Sequence, residues 1–167
     1  MKERHFSTFE LVLLALLAAL VVVAKISLRL PLQMSGHSGI FWMAIIIVGA
    51  GIIPKRGAAS LVGVTSGVLA TFLGLGDFGA LNTLLSYAAV GVGTDLALWL
   101  LGRPENLVVA TLAGTLGHMA KFLVKWGMGT ITGAPVGFVA LGLAKALVGY
   151  VVFGALGGLL GALTLQA

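Results

Sequence analysis

Cysteine is absent from this chain of 167 residues, so the chain can form no disulfides or thiolate metal sites and has no thiol nucleophile. Charge is also scarce, because only 9% of the residues are charged, against about 25% in an average soluble domain. Acids are the rarest charged type, with five Asp and Glu against ten Lys and Arg. The Gly-x-x-x-x-Gly-Lys signature of a P-loop is missing too, which excludes ATP use through such a loop.

Apolar sequence is what the chain has in abundance, since 59% of its residues are hydrophobic and its mean hydropathy is +1.14. One soluble core of 17.0 kDa could not hide that much apolar surface, whereas lipid serves as a second solvent for it. The net charge of +5 arises from basic residues scattered at the ends of apolar segments or inside them. Without a basic run, this charge indicates membrane topology and gives no indication of nucleic-acid binding.

Turn signals divide the sequence into six apolar spans, each close to the ~20 residues that cross ~30 Å of hydrocarbon. The clearest signals are Pro54-Lys55-Arg56 and the segment from Gly102 to Asn106. The N-terminal span resembles a signal peptide but has no small-residue cleavage site, so we expect it to remain as a helix. The spans lie at about 8–24, 36–53, 58–75, 80–101, 107–128 and 136–165. The predicted fold is an all-α membrane protein with six transmembrane helices in a single domain, 1–167.

Basic residues also predict the orientation of this bundle. Five of them fall on the side of the termini and two in the opposite loops, which favours cytoplasmic N- and C-termini. The five are Lys2, Arg4, Lys55, Arg56 and Arg103, and the two are Lys25 and Arg29. The loop from Lys25 to Ser35 is the longest connection and would face outward, and we expect it to act as a lid over an outward-opening site.

Small residues recur one helical turn apart along the chain. Glycine occurs 25 times, and the pairs at 63/67, 154/158 and 157/161 would let helix backbones approach closely. Ala15, Ala18 and Ala19 place a smooth face on the first helix. A second interpretation of any one pair is ordinary packing within the bundle.

Several ammonium groups lie inside the apolar spans, where a charge near the bilayer centre costs roughly 2.5–3.5 kcal/mol. Lys145 is near the middle of the last span, and His118, Lys121 and Lys125 share one face of the fifth helix. Their depths predict convergence on one outward-opening cavity, whose simplest complement is a carboxylate or phosphate. Lys145 is the strongest candidate, because neither end of its helix is within easy snorkelling reach.

Each of the other basic groups has an alternative interpretation. Lys125 could snorkel to the outer interface, and Lys121 could pair with Asp95 or a carbonyl group. His118 could be a satisfied interior histidine. Asp95, the only acid well inside the fourth helix, could neutralise Lys145 or His118 or contribute to the substrate site.

Polar and aromatic residues toward the outer ends of the second and fourth spans complete the predicted substrate site. Arg29, in the outer loop, would add attraction for an anion. The remaining members of this set are Asn82, Ser86 and Tyr87 on the fourth helix and Ser35, His37 and Trp42 at the entry to the second. No Gly-x-Ser-x-Gly occurs, and His37, His118 and Asp95 lack metal-ligand spacing, so we expect no catalytic residue, metal or cofactor.

In these features the chain resembles, over essentially its whole length, an S component, the substrate-binding membrane subunit of an energy-coupling factor vitamin transporter. Ala15-Leu16-Leu17-Ala18-Ala19 fits the Ala-x-x-x-Ala pattern of that family's first helix. The layout is similar to the biotin-specific branch at three segments, Arg29-Leu30-Pro31-Leu32, Gly57-Ala58-Ala59-Ser60 and Pro135 to Gly149, which contains Lys145-Ala146-Leu147. The chain departs from that branch at 139–144, an apolar run where biotin-type proteins often carry an acid. It also begins Met1-Lys2, whereas the metal-specific relatives begin Met-His, which argues against nickel or cobalt.

The resemblance implies a subunit in a prokaryotic cell membrane that binds a small vitamin-like molecule from outside, with a biotin-like carboxylate as the best candidate. It also implies docking through the alanine face onto a transmembrane coupling subunit carried by two ATPases, and toppling in the bilayer to release the substrate. The alternative function is a self-sufficient secondary transporter or channel in which His118 and Asp95 relay protons. No motif in the sequence indicates a membrane-embedded enzyme.

Overall fold

The computed structural model of the chain describes residues 5–27, 36–76, 79–131 and 136–167. This part of the chain folds into helices without a strand. The helices are α1 (Thr8–Ser27), α2 (Gly39–Ile52), α3 (Ala58–Phe72), α4 (Gly79–Leu101), α5 (Leu107–Ile131) and α6 (Val136–Gln166). The predicted all-α organisation in six helices is therefore confirmed, and the turns at Pro54 and Gly102 fall between helices as expected.

Helix length separates two of the six from the others. Within the described residues, α1, α4, α5 and the Lys145–Gln166 part of α6 are long and apolar enough to cross a membrane. In contrast, α2 has 14 residues and α3 has 15, and at 1.5 Å per residue each is only about 21–23 Å long. The prediction that all six spans approach 20 residues was wrong for these two. The chain turns at Gly36 (φ 84°) before α2 and at Gly57 (φ 95°) before α3, which shortens both helices.

The start of α1 and the end of α6 lie at the same end of the bundle, which we call the terminal end. The Nζ atom of Lys55 is 2.7 Å from a carboxylate oxygen of Glu10 and donates to the carbonyl oxygen of His5 at 2.8 Å. The side-chain amide of Gln166 donates to the carbonyl oxygen of Glu105 at 2.7 Å. The opposite end is called the cavity end below. That the terminal end faces the cytoplasm remains a prediction.

Close backbone approach between helices depends on glycine, as the small-residue spacing predicted. A Cβ atom on Gly158 of α6 would lie 2.1 Å from the carbonyl oxygen of Ala110 on α5, and one on Gly114 would lie 2.4 Å from that of Gly154. Between α3 and α4, a Cβ atom on Gly63 would lie 2.6 Å from the carbonyl oxygen of Tyr87. Since backbone atoms cannot rotate away from a new methyl group, these contacts set the distance between the helices.

Replacing Gly158 by Ala should separate α5 from α6 and lower the free energy of unfolding by about 2 kcal/mol, because overpacking a tight contact typically costs 1–3 kcal/mol. Gly127→Ala on α5 is the matched control, because a Cβ atom there would have no described atom within 4 Å. Thermal unfolding in detergent measures both variants. Equal melting temperatures for the two would contradict the assigned packing.

Candidate functional site

A cavity of about 140 Å³ lies at the cavity end, above the first turn of α2. The short α2 creates this space, since it begins at Gly39 beside His118, while α5 continues for about three and a half more turns to Ile131. A Cβ atom on Gly39 would lie only 2.3 Å from the Cε1 atom of His118. Glycine at this position therefore lets the N-terminus of α2 form the floor of the cavity.

Aromatic rings surround His118 on this floor. The imidazole is fully buried, with its centroid 4.9 Å from the Trp42 ring in an edge-on arrangement and 4.5 Å from the Tyr150 ring. Trp42 is 1% exposed and lies 6.1 Å from Tyr87, measured between ring centroids. Side chains from α2, α4, α5 and α6 thus form one aromatic cluster below the opening of the cavity.

Three lysines line the same cavity. The ammonium of Lys121 lies 4.4 Å from the ring centroid of Trp42 and 4.6 Å from that of Tyr87. Lys25, in the last turn of α1, donates to the carbonyl oxygen of Leu75 and lies 5.2 Å from the ring centroid of Tyr87. Lys125 also lines the cavity, one turn beyond Lys121 on α5. Electron-rich aromatic faces therefore help to hold positive charge at this depth.

Helix α4 supplies a polar wall. The side chains of Asn82, Thr83 and Ser86 are buried and line the cavity. The Ser86 hydroxyl donates to the Oδ1 atom of Asn82 at 3.4 Å, and the Thr83 hydroxyl donates to the carbonyl oxygen of Gly79 at 3.0 Å. Amide and hydroxyl groups at this position can hydrogen-bond the polar part of a small molecule.

Two of the buried polar side chains in the floor lack a hydrogen-bond partner within the described part of the chain. These groups are the indole Nε1 of Trp42 and both ring nitrogens of His118. A polar atom buried without a partner is costly, and such atoms in native proteins usually pair with protein, water or ligand. The floor therefore offers a donor and a donor–acceptor ring to a bound molecule.

The cavity end carries an excess of positive charge. Of the five acids in the sequence, Glu10, Asp95 and Glu105 lie toward the terminal end, and Glu3 lies outside the described residues. Asp77, which lies outside the described residues, is the one remaining acid. Among the described residues, three lysines and no carboxylate line the cavity. The electrostatics of the cavity therefore favour an anion.

Six of the predicted substrate-binding residues line this single cavity, namely Trp42, Asn82, Ser86, Tyr87, His118 and Lys121. Lys145 does not line it, because its side chain is exposed on the outer side of α6. His37 lies in the turn before α2 and is also outside the lining. The predictions for Ser35 and Arg29, and for the lid they belong to, fall outside the described residues.

The pairing proposed for Asp95 was wrong, because its carboxylate faces α3. It accepts the backbone N–H of Ser60 at 2.7 Å and that of Ala59 at 3.3 Å. These are among the first N–H groups of α3, which have no partner within the helix. Since Gly57 at the N-cap has no side chain, an acid from the neighbouring helix performs the capping. Asp95 therefore stabilises the fold and does not neutralise Lys145 or His118.

Asp95→Ala should lower the free energy of unfolding by about 1–2 kcal/mol, since both capped N–H groups lose their acceptor. Asp95→Asn retains an acceptor oxygen and should be milder. Substrate affinity of the folded variants should stay at the wild-type value, because Asp95 is not in the lining. If Asp95→Ala lowered substrate affinity without changing the free energy of unfolding, Asp95 would belong to the substrate site.

The three alanines of α1 do not share one surface. Ala15 and Ala19 are exposed on the outside of the bundle, where a partner helix could contact them. Ala18 is fully buried, and its carbonyl oxygen accepts a hydrogen bond from the Ser66 hydroxyl at 3.2 Å. The prediction that Ala18 belongs to the partner-binding face was therefore wrong, because a shift of one residue rotates a side chain by about 100° around the helix.

Sequence reasoning missed several lining residues, among them Lys25, Thr83 and Tyr150. Lys25 was predicted to lie in a loop because the first span was predicted to end at residue 24. In the structure α1 continues to Ser27. Tyr150, one of only two tyrosines, lies at the same depth in the bundle as His118. Counting residues along the fifth and sixth spans from their shared turn predicts this common depth.

Comparison with known protein families matches residues 8–120, more than half of the chain, to the family described as "ABC-type cobalt transport system, permease component". Comparison with curated proteins and with solved structures gives no significant match. The matched region contains α1 to α4 and the first part of α5, including His118. Together with the four spanning helices, this match identifies a multi-pass membrane component of a transport system.

Proposed function

The chain belongs to the family of permease components of ABC-type cobalt transport systems, and we propose that it is the substrate-binding subunit of an energy-coupling factor importer. In this proposal the terminal end faces the cytoplasm and the cavity opens outward, so that substrate is captured from outside the cell. A transmembrane coupling subunit and two ATPase subunits would supply the energy, since the chain has no P-loop of its own.

The observation that carries the proposal is the cavity itself, in which three lysines lie around an aromatic floor that includes His118. We propose that its substrate is a small organic molecule with an anionic group and a ring, such as a vitamin with a biotin-like carboxylate. Lys121 would contact the anion, while Trp42 and Tyr87 would pack against the ring. The amide and hydroxyls of α4 would bind the remaining polar atoms.

The same lining argues against a bare cobalt ion as the cargo, despite the family's description. Divalent cobalt prefers imidazole, carboxylate or thiolate ligands, and His118 is the one such group among the described lining residues. No cluster of three His, Cys, Asp or Glu residues occurs within 5–27, 36–76, 79–131 and 136–167. Three ammonium groups would repel the ion. An organic anion, or a metal held within one, fits this electrostatic environment better.

The proton-relay alternative receives little support from the geometry. Asp95 accepts hydrogen bonds at the start of α3, whereas His118 packs against α2 and α6, so the two proposed relay groups face different helices. A relay needs groups joined by hydrogen bonds, and the described residues place none between them.

Native mass spectrometry of the purified protein tests the proposed cargo, since a tightly bound substrate should co-purify as a discrete small molecule. Titration with biotin-like carboxylates and with Co²⁺, each followed calorimetrically, then separates the two cargo classes. Uptake assays in proteoliposomes test the mechanism. We expect uptake only when the coupling and ATPase subunits are present, and uptake by the chain alone under a pH gradient would overturn the proposal.

A further inference from the structure

A second pocket, of about 280 Å³, lies at the terminal end, where the turn between α2 and α3 meets the turn between α4 and α5. Ala50 and Leu98 give it an apolar wall, and Lys55, Arg56 and Arg103 give it a basic rim. It lies at the end of the molecule opposite the substrate cavity, so the function proposed above makes no use of it.

Two of the charged groups beside this pocket are already engaged. Lys55 forms its ion pair with Glu10 at 2.7 Å. The carboxylate of Asp95, which also borders the pocket, accepts two N–H groups at the positive start of α3. Arg56 and Arg103 are different, because both are exposed and neither has a carboxylate oxygen within 4.0 Å in the described part of the chain. The rim therefore presents two guanidinium groups available to an anion.

Trp99 indicates the depth of the pocket in the membrane. Its ring is 57% exposed, and the guanidinium carbon of Arg56 lies 5.4 Å from the ring centroid. Exposed tryptophans of membrane proteins concentrate at the level of the lipid headgroups, where one side of the ring is apolar and the other is wet. The stacked arginine is thus placed at the depth of lipid phosphates, with the apolar wall extending toward the hydrocarbon.

We propose that this pocket binds the phosphate of an anionic phospholipid from the leaflet at the terminal end. A guanidinium presents a planar fork of donors that matches phosphate bidentately, and two of them on one rim can grip a phosphodiester. Basic pockets between transmembrane helices on the cytoplasmic side are suited to such headgroups. If Arg56 and Arg103 served only to orient the chain in the membrane, their positive charges would be sufficient. Neither the pocket nor the stacking on Trp99 would then be needed.

The experiment uses the full chain in nanodiscs that contain phosphatidylglycerol diluted into phosphatidylcholine, with bound lipids counted by native mass spectrometry after release. We expect the wild-type protein to retain phosphatidylglycerol preferentially. Arg56→Gln and Arg103→Gln should each reduce that retention about fivefold, as one basic residue near an anionic surface contributes roughly 1 kcal/mol. Lys145→Gln is the control, since it removes one exposed positive charge at the opposite end.

Three results would overturn the proposal. The first is equal retention of the anionic lipid by the wild type and by the Arg56→Gln, Arg103→Gln double variant. The second is displacement of the lipid by millimolar inorganic phosphate, which would assign the pocket to a soluble phosphate compound. The third is loss of assembly with the coupling subunit while lipid retention is unchanged, which would assign the arginines to a protein contact. If the double variant does not fold, the single variants on these exposed side chains provide the test.

Discussion

We expect Lys121→Met to weaken binding of the proposed anionic substrate by about 3 kcal/mol, roughly 150-fold in Kd, because truncating one partner of a desolvated charge pair typically costs 2–5 kcal/mol. Methionine keeps much of the bulk of the lysine stem and removes the ammonium that lies between Trp42 and Tyr87. Isothermal titration of substrate-free protein measures the change. Removing the charge should leave the fold intact, which thermal unfolding would verify.

Lys145→Met is the matched control, since it makes the same chemical change on the neighbouring helix at a side chain outside the cavity. Its Kd should remain within about twofold of wild type, a difference of under 0.5 kcal/mol. If instead Lys145→Met bound substrate weakly and Lys121→Met bound it with the wild-type Kd, the substrate would bind outside this cavity. The position of Lys145 in the sequence alone suggested such a site.

We expect tryptophan at Ala15 or Ala19 to block transport by the assembled complex while leaving substrate affinity unchanged. Both alanines are exposed on α1, and close packing of a partner helix against small residues is lost when a large ring separates the backbones. Uptake into proteoliposomes that contain all subunits measures transport, and titration of the isolated chain measures affinity. We expect uptake to fall at least tenfold.

Two further substitutions control for bulk and for folding. Leu116→Trp places the same ring on an exposed position of α5 and should leave uptake near the wild-type level. Ala18→Trp should destabilise the isolated chain, because Ala18 is fully buried. If Ala15→Trp and Ala19→Trp also unfold the chain, or if both transport normally, the partner-binding face does not lie on this side of α1.

The sequence was most informative where its turn signals interrupt the apolar spans. Pro54 and the segment from Gly102 to Asn106 fall between helices as expected, because proline and a left-handed glycine end helices for local steric reasons. The short α2 was not predicted, because the span was started at Gly36, whereas the chain turns at that residue (φ 84°) and the helix begins at Gly39. Only the packing of Gly39 against His118 shows where that helix begins.

Rotation of helices about their own axes was the main source of error at the site. Residues His118, Lys121 and Lys125 share a face, as their spacing predicted, and that face lines the cavity. Lys145 and Ala18 were misplaced because transmembrane helices are apolar on all sides, so periodicity does not reveal which side faces the interior. Interhelical contacts fix that rotation, and they arise between residues far apart in the sequence.

Under the proposed function, the location of Trp42 makes its indole an optical reporter of substrate occupancy in the wild-type protein. Of the three tryptophans in the chain, Trp42 is 1% exposed, whereas Trp99 and Trp126 are 57% and 43% exposed. The emission of an indole depends on the local field, and the ammonium of Lys121 lies 4.4 Å from this ring. We therefore expect an anion that engages Lys121 to change the fluorescence of the buried indole, while quenching lipids should silence the two exposed indoles.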